Sequence, residues 1–343
     1  MTAYRAVCLQ VKCHAVSQVK DRNEARAVMR ESLERLRGHI ASGVSFAGED
    51  CQLVVLPEYF LTGFPMGDSI SAWADKAALE MDGPEYDALG RIAQDTKVHL
   101  AGNAYEIDPH FPGLYFQTCF LINPAGEVIL RYRRLNSMFS PTPHDLWDEY
   151  LGVYGLDGVF PVVRTPIGNI AAIASEEILY PEVARCLAMR GAEVFFHPTS
   201  QANEVARGVK DVCTVARAVE NMAYVVSANS GGYGGTAIPE ASTDGGSKVV
   251  DFRGITLAKT GWGESMAANA EIDLAALRRF RRRPGMENLL ARQRFEAYAE
   301  SYARFHFYPV NNMLGAPPEQ GHFIKTQRAT IERLIKEGVI GDS

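Results

Sequence analysis

The chain has 343 residues, of which 47% are hydrophobic and 22% are charged, proportions typical of a globular protein that buries its own core. The net charge of −6 disfavours nucleic acid or an anionic membrane surface as the main partner. No apolar run approaches the roughly 20 residues of a membrane span, and no signal peptide is evident at the N-terminus. The cysteines form neither a C-x-x-C pair nor a Cys/His metal spacing, so we expect a reducing, cytoplasmic location.

The first half of the chain contains β-prone or apolar runs that predict strands. These runs lie at residues 4–11, 52–56, 97–104, 115–122 and 127–132. Apolar residues at helical spacing predict helices over residues 23–38 and 85–95. The sequence N-P-A-G at residues 123–126 is a turn signal, so the last two strands are expected to form a hairpin.

The second half alternates predicted strands with predicted helices. The strands are predicted at residues 169–174, 193–197, 224–229, 247–251 and 255–258, and the helices at residues 181–190 and 203–222. From about Leu274 the chain becomes rich in arginine and helical, and it then loops through residues 306–318 before a last amphipathic helix at 321–339. This order favours an α/β fold with some antiparallel strand pairs. We expect one domain over residues 1–275 and a helical extension of it over residues 276–343.

Three stretches carry candidate catalytic side chains. Glu58 follows an apolar strand and a proline in L-P-E-Y-F-L-T-G-F (residues 56–64), at the kind of strand end where α/β folds often form sites. Arg134 lies in G-E-V-I-L-R-Y-R-R-L (residues 126–135), and Ser175 lies in I-A-A-I-A-S-E-E-I-L-Y-P-E-V-A-R (residues 170–185). Each has a plainer explanation when taken alone: an exposed loop acid, a surface arginine on an edge strand, and a helix N-cap.

Together, and in this order, these segments resemble the nitrilase superfamily of carbon–nitrogen hydrolases, in particular its aliphatic amidase and nitrilase branches. Residues 217–229 and 245–258 extend the resemblance, which spans about residues 4–275. It implies a four-layer α-β-β-α sandwich, no metal or organic cofactor, and a small amide or nitrile-like substrate. It also implies a homodimer or higher homo-oligomer, to which residues 276–343 would contribute contacts.

The resemblance assigns catalytic roles to Glu58, Arg134 and Ser175. In the family, a glutamate acts as general base, a lysine stabilises the developing negative charge, and a cysteine attacks the amide or nitrile carbon. Here the lysine position holds Arg134 and the cysteine position holds Ser175. Arginine keeps the positive charge, whereas an alcohol is much harder to deprotonate than a thiol.

A serine nucleophile normally relies on a histidine or lysine base, and the sequence offers His144, His197 and Lys210 for this role. The loop at residues 140–147 lies where many family members have a second acidic site residue, a position that Thr142, His144 or Asp145 could occupy. The side chains expected to contact the substrate are Tyr59, His144, Trp147, Glu176 and His197.

Three explanations of the unusual residues remain open. The first is an active enzyme that hydrolyses a carbon–nitrogen bond, or transfers an acyl group, through an ester on Ser175. The second is an inactive family member that binds a small ligand or a partner, with Glu58 and Arg134 as a buried ion pair. The third is an engineered replacement of a catalytic cysteine by Ser175, and the accompanying change at Arg134 argues against it.

Overall fold

The computed structural model describes residues 2–201, 208–243, 245–313 and 321–341. The strands, in chain order, are β1 (Ala3–Gln10), β2 (Cys13–His14), β3 (Cys51–Val55), β4 (Leu79–Glu80), β5 (His99–Ile107), β6 (Phe116–Ile122), β7 (Val128–Arg133), β8 (Val163–Thr165), β9 (Gly168–Ala172), β10 (Val194–Pro198), β11 (Tyr224–Ala228), β12 (Tyr233–Gly234), β13 (Lys248–Val250), β14 (Thr256–Lys259) and β15 (Ser265–Asp273). The helices are α1 (Arg22–Ala47), α2 (Ile70–Ala77), α3 (Pro84–Thr96), α4 (Trp147–Val159), α5 (Pro181–Met189), α6 (Val209–Asn221), α7 (Leu274–Arg282), α8 (Phe295–Arg304) and α9 (His322–Lys336).

Thirteen of these strands form two mixed sheets that face each other, and β2 and β12 pair in a separate two-stranded sheet. The first sheet has the order β15-β1-β3-β5-β6-β7, with β4 beside β5, and the second has the order β14-β13-β11-β10-β9-β8. Within each sheet the central strands are parallel, namely β1, β3 and β5 in one and β9, β10 and β11 in the other. Antiparallel strands such as β15 and β6 extend these parallel centres. The predicted α/β fold with antiparallel pairs is confirmed.

Side-chain alternation along the strands creates a core on each face of the first sheet. On β1, Tyr4, Ala6 and Cys8 point into the core between the two sheets. Val7 and Leu9 point the other way and pack with the buried side chains of α1 and α3. On the second sheet, α5 and α6 contribute buried side chains to the outer side of the inter-sheet core. The layers therefore run helix, sheet, sheet, helix, and the expected four-layer α-β-β-α sandwich is confirmed.

The structure differs from the sequence-based prediction in several elements. The helix predicted over residues 23–38 runs on to Ala47 and ends at Gly48, whose φ of +110° suits glycine. Strand β15 was not predicted, because its alternation is weak in an alanine-rich segment, and it pairs antiparallel with β1. Helices α2 and α4 were also missed. Parts of the predicted helix at 203–222 and of the predicted loop at 306–318 lie outside the described residues.

Among the helices in the described ranges, none combines the length and the apolar character that crossing a lipid bilayer requires.

Candidate active site

The three candidate catalytic residues lie at strand ends on one edge of the sandwich. Glu58 follows β3, Arg134 directly follows β7, and Ser175 follows β9. Strand β7 is antiparallel to β6, which is antiparallel to β5, so β7 runs in the same direction as β3 and both strands end at the same edge. All three side chains are at least nine-tenths buried, with exposures of 1% for Glu58, 6% for Arg134 and 5% for Ser175.

Glu58 is held by donors from three other elements. Its Oε1 accepts hydrogen bonds from the side-chain amide of Gln117 and, at 3.4 Å, from Nη1 of Arg134. Its Oε2 accepts the backbone N–H of Ser200 at 2.9 Å. Gln117 also accepts a hydrogen bond of 2.7 Å from Arg134 Nη1, so the acid, the amide and the guanidinium form one closed network.

Arg134 is a fixed cation in this network. Its Nη2 forms an ion pair with Glu176, the residue after Ser175, and its Nε donates to the carbonyl oxygen of Asn136. Burial acts to lower the pKa of Arg134, but the charges of Glu176 and other nearby acidic groups outweigh it and raise the pKa above its ordinary value. The guanidinium therefore stays charged, and each of its three nitrogen atoms has a partner.

A buried carboxylate fixes the chain around Arg134. Tyr132, on β7, points into the inter-sheet core and donates a 2.6 Å hydrogen bond to Glu177. The same carboxylate accepts the backbone N–H groups of Leu135 at 2.7 Å and Asn136 at 3.0 Å. Burial raises the pKa of Glu177, although these donors oppose the rise. Glu177 thus ties the segment that follows β7 to the turn that begins at Ser175.

Ser175 is the first residue of a short 3-10 turn (Ser175–Leu179) and has a φ of +49°. A non-glycine residue in this left-handed region carries strain that commonly marks functional positions. The first N–H groups of such a turn have no partner inside it and can serve an anion. Within the described parts of the chain, the Ser175 hydroxyl makes no hydrogen bond.

His197, on β10, lies directly beneath Ser175. Its Nε2 is 2.8 Å from the carbonyl oxygen of Ser175, and its Nδ1 is 2.8 Å from the hydroxyl of Ser227. A carbonyl oxygen can only accept, so Nε2 carries the proton and Nδ1 accepts from Ser227. Burial lowers the pKa of His197 to about 3. Both ring nitrogens therefore face protein groups, and neither faces the Ser175 hydroxyl.

Of the five side chains expected to contact a substrate, three lie around a cavity of about 1430 Å³, and the other two, Tyr59 and His197, do not line it. His144, Trp147 and Glu176 line this cavity, whereas Glu58, Arg134 and Ser175 do not. Glu176 has 34% of its side chain exposed against 7% for Arg134, so it connects the buried network with the cavity.

Tyr59 lies on the inner side of the network. Its ring stacks on Tyr105 with centroids 5.1 Å apart, and its hydroxyl interacts with Glu58. Burial raises the pKa of Tyr59, which therefore stays protonated and can act as a donor.

In the loop at residues 140–147, the side chain of Asp145 bonds within the loop itself. Asp145 accepts the backbone N–H of Thr142 at 2.8 Å and the Thr142 hydroxyl at 2.7 Å, which caps the short turn that follows. His144 remains on the cavity wall, with its ring 6.1 Å from that of Trp147, and burial lowers its pKa. Of the three candidates for a second site residue in this loop, His144 is the one most open to the cavity.

Sequence reasoning missed two members of the network, Gln117 and Ser200. Gln117 could have been found, because it and Thr118 are the buried polar residues of the otherwise apolar strand β6. Ser200 acts through its backbone N–H, which no residue pattern shows.

Lys210, one of the bases considered from the sequence, lies in the first turn of α6 with its Nζ 3.5 Å from the Thr199 hydroxyl. Burial lowers the pKa of Lys210, and the charge of Glu58 opposes this effect.

Within the described residues, no group of three or more histidine, cysteine or acidic side chains is arranged to hold a metal ion.

Comparison with known sequences places this site in context. A model of the carbon–nitrogen hydrolase family matches residues 15–282. A formamidase from Bacillus cereus strain B4264 is 30% identical over 210 residues, which cover 61% of this chain and 58% of the formamidase. A formamidase from Bacillus thuringiensis strain Al Hakam is 29% identical over the same length. The match therefore spans less than two thirds of the length of these curated relatives.

Solved structures share the fold at low sequence identity. A carbon–nitrogen hydrolase from Helicobacter pylori G27 has a TM-score of 0.66 and 19% identity, covering 89% of this chain and 100% of that one. Saccharomyces cerevisiae Nit3, a member of branch 10 of the nitrilase superfamily, has a TM-score of 0.63 and 21% identity, covering 82% and 93%. A cysteine-to-serine mutant of the Nesterenkonia AN1 amidase has a TM-score of 0.61 and 23% identity, covering 87% and 97%.

Proposed function

The chain belongs to the carbon–nitrogen hydrolase family, and from this premise we propose that it hydrolyses a small amide or nitrile-like substrate, or transfers its acyl group, with Ser175 as nucleophile. In this proposal Arg134 and Ser175 take the places of the lysine and cysteine of the family. The observation that carries it is the ion pair of Arg134 with Glu176, the residue next to Ser175, whose φ of +49° marks a strained backbone. This pair supports the proposal because it holds a positive charge next to the turn that begins at Ser175, and acyl transfer needs a positive charge near the nucleophile.

The proposed reaction of an amide has two halves. The Ser175 oxygen attacks the carbonyl carbon, the C–N bond breaks, and the amine leaves with a proton while an ester remains on Ser175. Water then cleaves this ester and restores the hydroxyl. Negative charge develops on the carbonyl oxygen in both halves, and Arg134 and the backbone N–H after Ser175 are its proposed partners.

Glu176 has a gating role in this proposal. It occupies the Nη2 face of Arg134, and it is the partly exposed member of that ion pair. A substrate entering from the cavity would displace the Glu176 carboxylate and take up the freed N–H donors. Glu58 and Gln117 keep the other side of the guanidinium fixed meanwhile.

The remaining candidates have distinct proposed roles. His144, Trp147 and Glu176 contact the substrate from the cavity wall, and Tyr59 donates to Glu58 from the inner side. His197 orients the Ser175 backbone through the carbonyl contact of 2.8 Å. No cofactor enters this chemistry, because nucleophile, charge and water are sufficient.

The test measures ammonia released from a panel that includes formamide, acetamide and benzamide. Ser175→Ala should reduce kcat/KM by about 100-fold or more, since the reaction depends on the covalent step. Ser71→Ala, an exposed serine at the start of α2, is the matched control and should keep the wild-type rate. Equal rates for wild type and Ser175→Ala would remove the nucleophile role.

A non-catalytic role is favoured by one observation. Every nitrogen of Arg134 already has a protein partner, as expected of a structural cation. Under this alternative, an amide or carboxylate would raise the melting temperature without being turned over. The same panel, monitored by thermal unfolding, separates the two functions.

The third explanation, an engineered replacement of a catalytic cysteine by Ser175, has its own test. Ser175→Cys would restore hydrolysis to the level of an ordinary cysteine enzyme of the family if the serine is an introduced change. A variant no more active than wild type contradicts that explanation.

We also propose that residues 276–343 extend the same domain and contribute contacts to a homo-oligomer. Phe323 and Leu334 of α9 are buried, and Phe323 belongs to the core of the first sheet. Helix α8 carries the exposed aromatic residues Phe295, Tyr298 and Tyr302 at helical spacing. The cytoplasmic location stays a prediction.

A further inference from the structure

We propose that the substrate of this site is an amide that carries an arylalkyl group, an aromatic ring on a short alkyl chain, and that this group lies in the cavity of about 1430 Å³ beside the catalytic network. The inference rests on the proposed function for the reaction itself, and it adds the chemical class of the substrate. The binding it describes can be measured without turnover, so the two proposals can fail separately.

The cavity is continuous with the catalytic network. Glu176 belongs to both, because it lines the cavity and forms the ion pair with Nη2 of Arg134. Leu135 and Asn136, which directly follow Arg134 in the chain, also line the cavity. Tyr180, another lining residue, lies near the same pair, since burial and then the charge of Glu176 raise its pKa. An amide that displaces the Glu176 carboxylate from Arg134 would therefore extend the rest of its structure into this cavity.

The cavity is far larger than a simple amide requires. Its volume of about 1430 Å³ exceeds the roughly 300–1,000 Å³ typical of pockets that bind drug-sized ligands. A water molecule takes up about 30 Å³ in the liquid, and formamide is only about two to three times that size. A substrate as small as formamide would leave most of the cavity to water, so the volume favours a large group next to the amide.

The walls of the cavity are rich in aromatic side chains. The aromatic lining residues, apart from the histidines, are Trp147, Phe160, Tyr180, Phe305, Phe307 and Tyr308. Phe305 is 59% exposed and Phe307 is 46% exposed, so these rings keep apolar surface uncovered at the cavity. Clustered apolar surface beside a polar site is typical of a place where a ligand binds. Because aromatic rings prefer stacked or edge-on contact with other rings, these walls favour an aromatic group.

The aromatic walls are held in fixed positions by bonds between their segments. The His144 ring, on the loop at residues 140–147, lies 6.2 Å from the Tyr308 ring of the C-terminal extension. The His144 carbonyl oxygen accepts the backbone N–H of Asn311 at 3.1 Å. Arg333 of α9 donates to the carbonyl oxygen of His306 at 2.7 Å. Walls that are already ordered lose little conformational entropy when a ligand binds, so they support tight and selective binding.

The test measures dissociation constants by calorimetry with the full-length Ser175→Ala variant, which lacks the proposed nucleophile. 4-Phenylbutyramide carries the ring on the acyl side, N-(3-phenylpropyl)acetamide carries it on the nitrogen, and acetamide carries no ring. At least one arylalkyl amide should bind about 100-fold more tightly than acetamide, as expected for burying the apolar area of an aromatic side chain. The tighter of the two shows which side of the amide faces the cavity.

Further variants in the Ser175→Ala background locate the binding. Ala329 is exposed on α9 and lines the cavity, so Ala329→Trp should fill space needed by the ring and weaken arylalkyl binding by about tenfold or more, with acetamide unaffected. Ala41→Trp, at an exposed position of α1 that does not line the cavity, is the matched control.

A second pair removes a ring instead of adding one. Phe305→Ala should weaken arylalkyl binding by about fivefold. Phe46→Ala is its control, because Phe46 is 60% exposed and does not line the cavity. Unfolding temperatures identify any variant whose weaker binding comes from misfolding.

Each outcome decides one of the two proposals. Tighter binding of an arylalkyl amide that is lost in Ala329→Trp or Phe305→Ala and kept in the controls supports the substrate class. Equal binding of all three amides, or tighter binding that neither cavity variant weakens, overturns it. If the preferred arylalkyl amide binds in the cavity but wild type releases neither ammonia nor amine from it, the proposed function is overturned and the binding site remains supported.

Discussion

At the scale of single residues, the site depends on buried groups whose ionisation state is fixed by their neighbours. His197 illustrates this, because it must stay neutral to donate to the Ser175 carbonyl oxygen and accept from Ser227. That contact holds the peptide after the serine in the orientation that accompanies its φ of +49°. Protonating the ring would reverse the hydrogen bond with Ser227, whose hydroxyl would then have to accept, and would place a positive charge in the core.

This bonding predicts a specific acid sensitivity. Burial lowers the pKa of His197 to about 3 in the folded protein, whereas an unfolded histidine titrates near pH 6.5. Between these values the unfolded chain binds the extra proton, so the free energy of unfolding should fall as the pH falls from about 6.5 to about 3, by up to about 1.4 kcal/mol per pH unit. Urea unfolding across this range measures the slope.

The matched variants are His197→Gln and His306→Gln, of which His306 is exposed. His197→Gln should lose stability at neutral pH and also lose the part of the slope that comes from this residue. His306→Gln should keep the wild-type slope. Parallel curves for wild type and His197→Gln would show that His197 is not held neutral.

At the scale of elements, helix α3 depends on a close approach to the hairpin of β6 and β7. A methyl group on Gly90 would lie 2.7 Å from the carbonyl oxygen of Gly126, which is backbone and cannot rotate away. Gly126 itself has a φ of +87° in the hairpin turn. One glycine makes the turn and the other lets the helix pack against it.

We therefore expect Gly90→Ala to lower the free energy of unfolding by about 1–3 kcal/mol through overpacking. Gly38→Ala is the control, because nothing lies within 4 Å of the added methyl group in α1. There the change should raise stability by about 0.5–1 kcal/mol, as expected for replacing glycine inside a helix. Urea unfolding of both variants measures these changes. Equal free energies of unfolding for the two variants would contradict the close approach of Gly90 to the Gly126 carbonyl oxygen.

The elements also show how much of the structure could be predicted from the sequence. The hairpin was predictable, because N-P-A-G separates two apolar strands. Strand β15 was not, because its alanines have a weak strand preference and its position is set by pairing with β1, which lies more than 250 residues away in the chain. Glu58, Arg134 and Ser175 stand out in local motifs. The contacts of Gln117, Ser200 and Lys210 exist only after strands and helices meet, so no local pattern predicts them.

At the scale of the whole molecule, helix α9 of the C-terminal extension packs Phe323 into the core between the first sheet and its helices. Phe323 of α9 is 1% exposed, and the neighbouring Ile324 is 41% exposed. If the extension belongs to the same domain, removing the Phe323 side chain should destabilise the whole protein.

Phe323→Ala should lower the free energy of unfolding by about 3–5 kcal/mol, within one cooperative transition followed by calorimetry and by circular dichroism. Ile324→Ala should change it by less than about 0.5 kcal/mol. A separate early transition in Phe323→Ala, with the rest of the protein unaffected, would instead indicate an independent C-terminal unit.

The central claim is that Ser175 carries the acyl group during cleavage of a carbon–nitrogen bond. The most direct measurement is peptide mass spectrometry of the protein quenched in acid during turnover of an amide from the panel. The account predicts an acyl ester on the peptide that contains Ser175, absent from Ser175→Ala. Turnover with no ester on that peptide, or with the acyl group on a partly exposed cysteine such as Cys186 or Cys213, would contradict it.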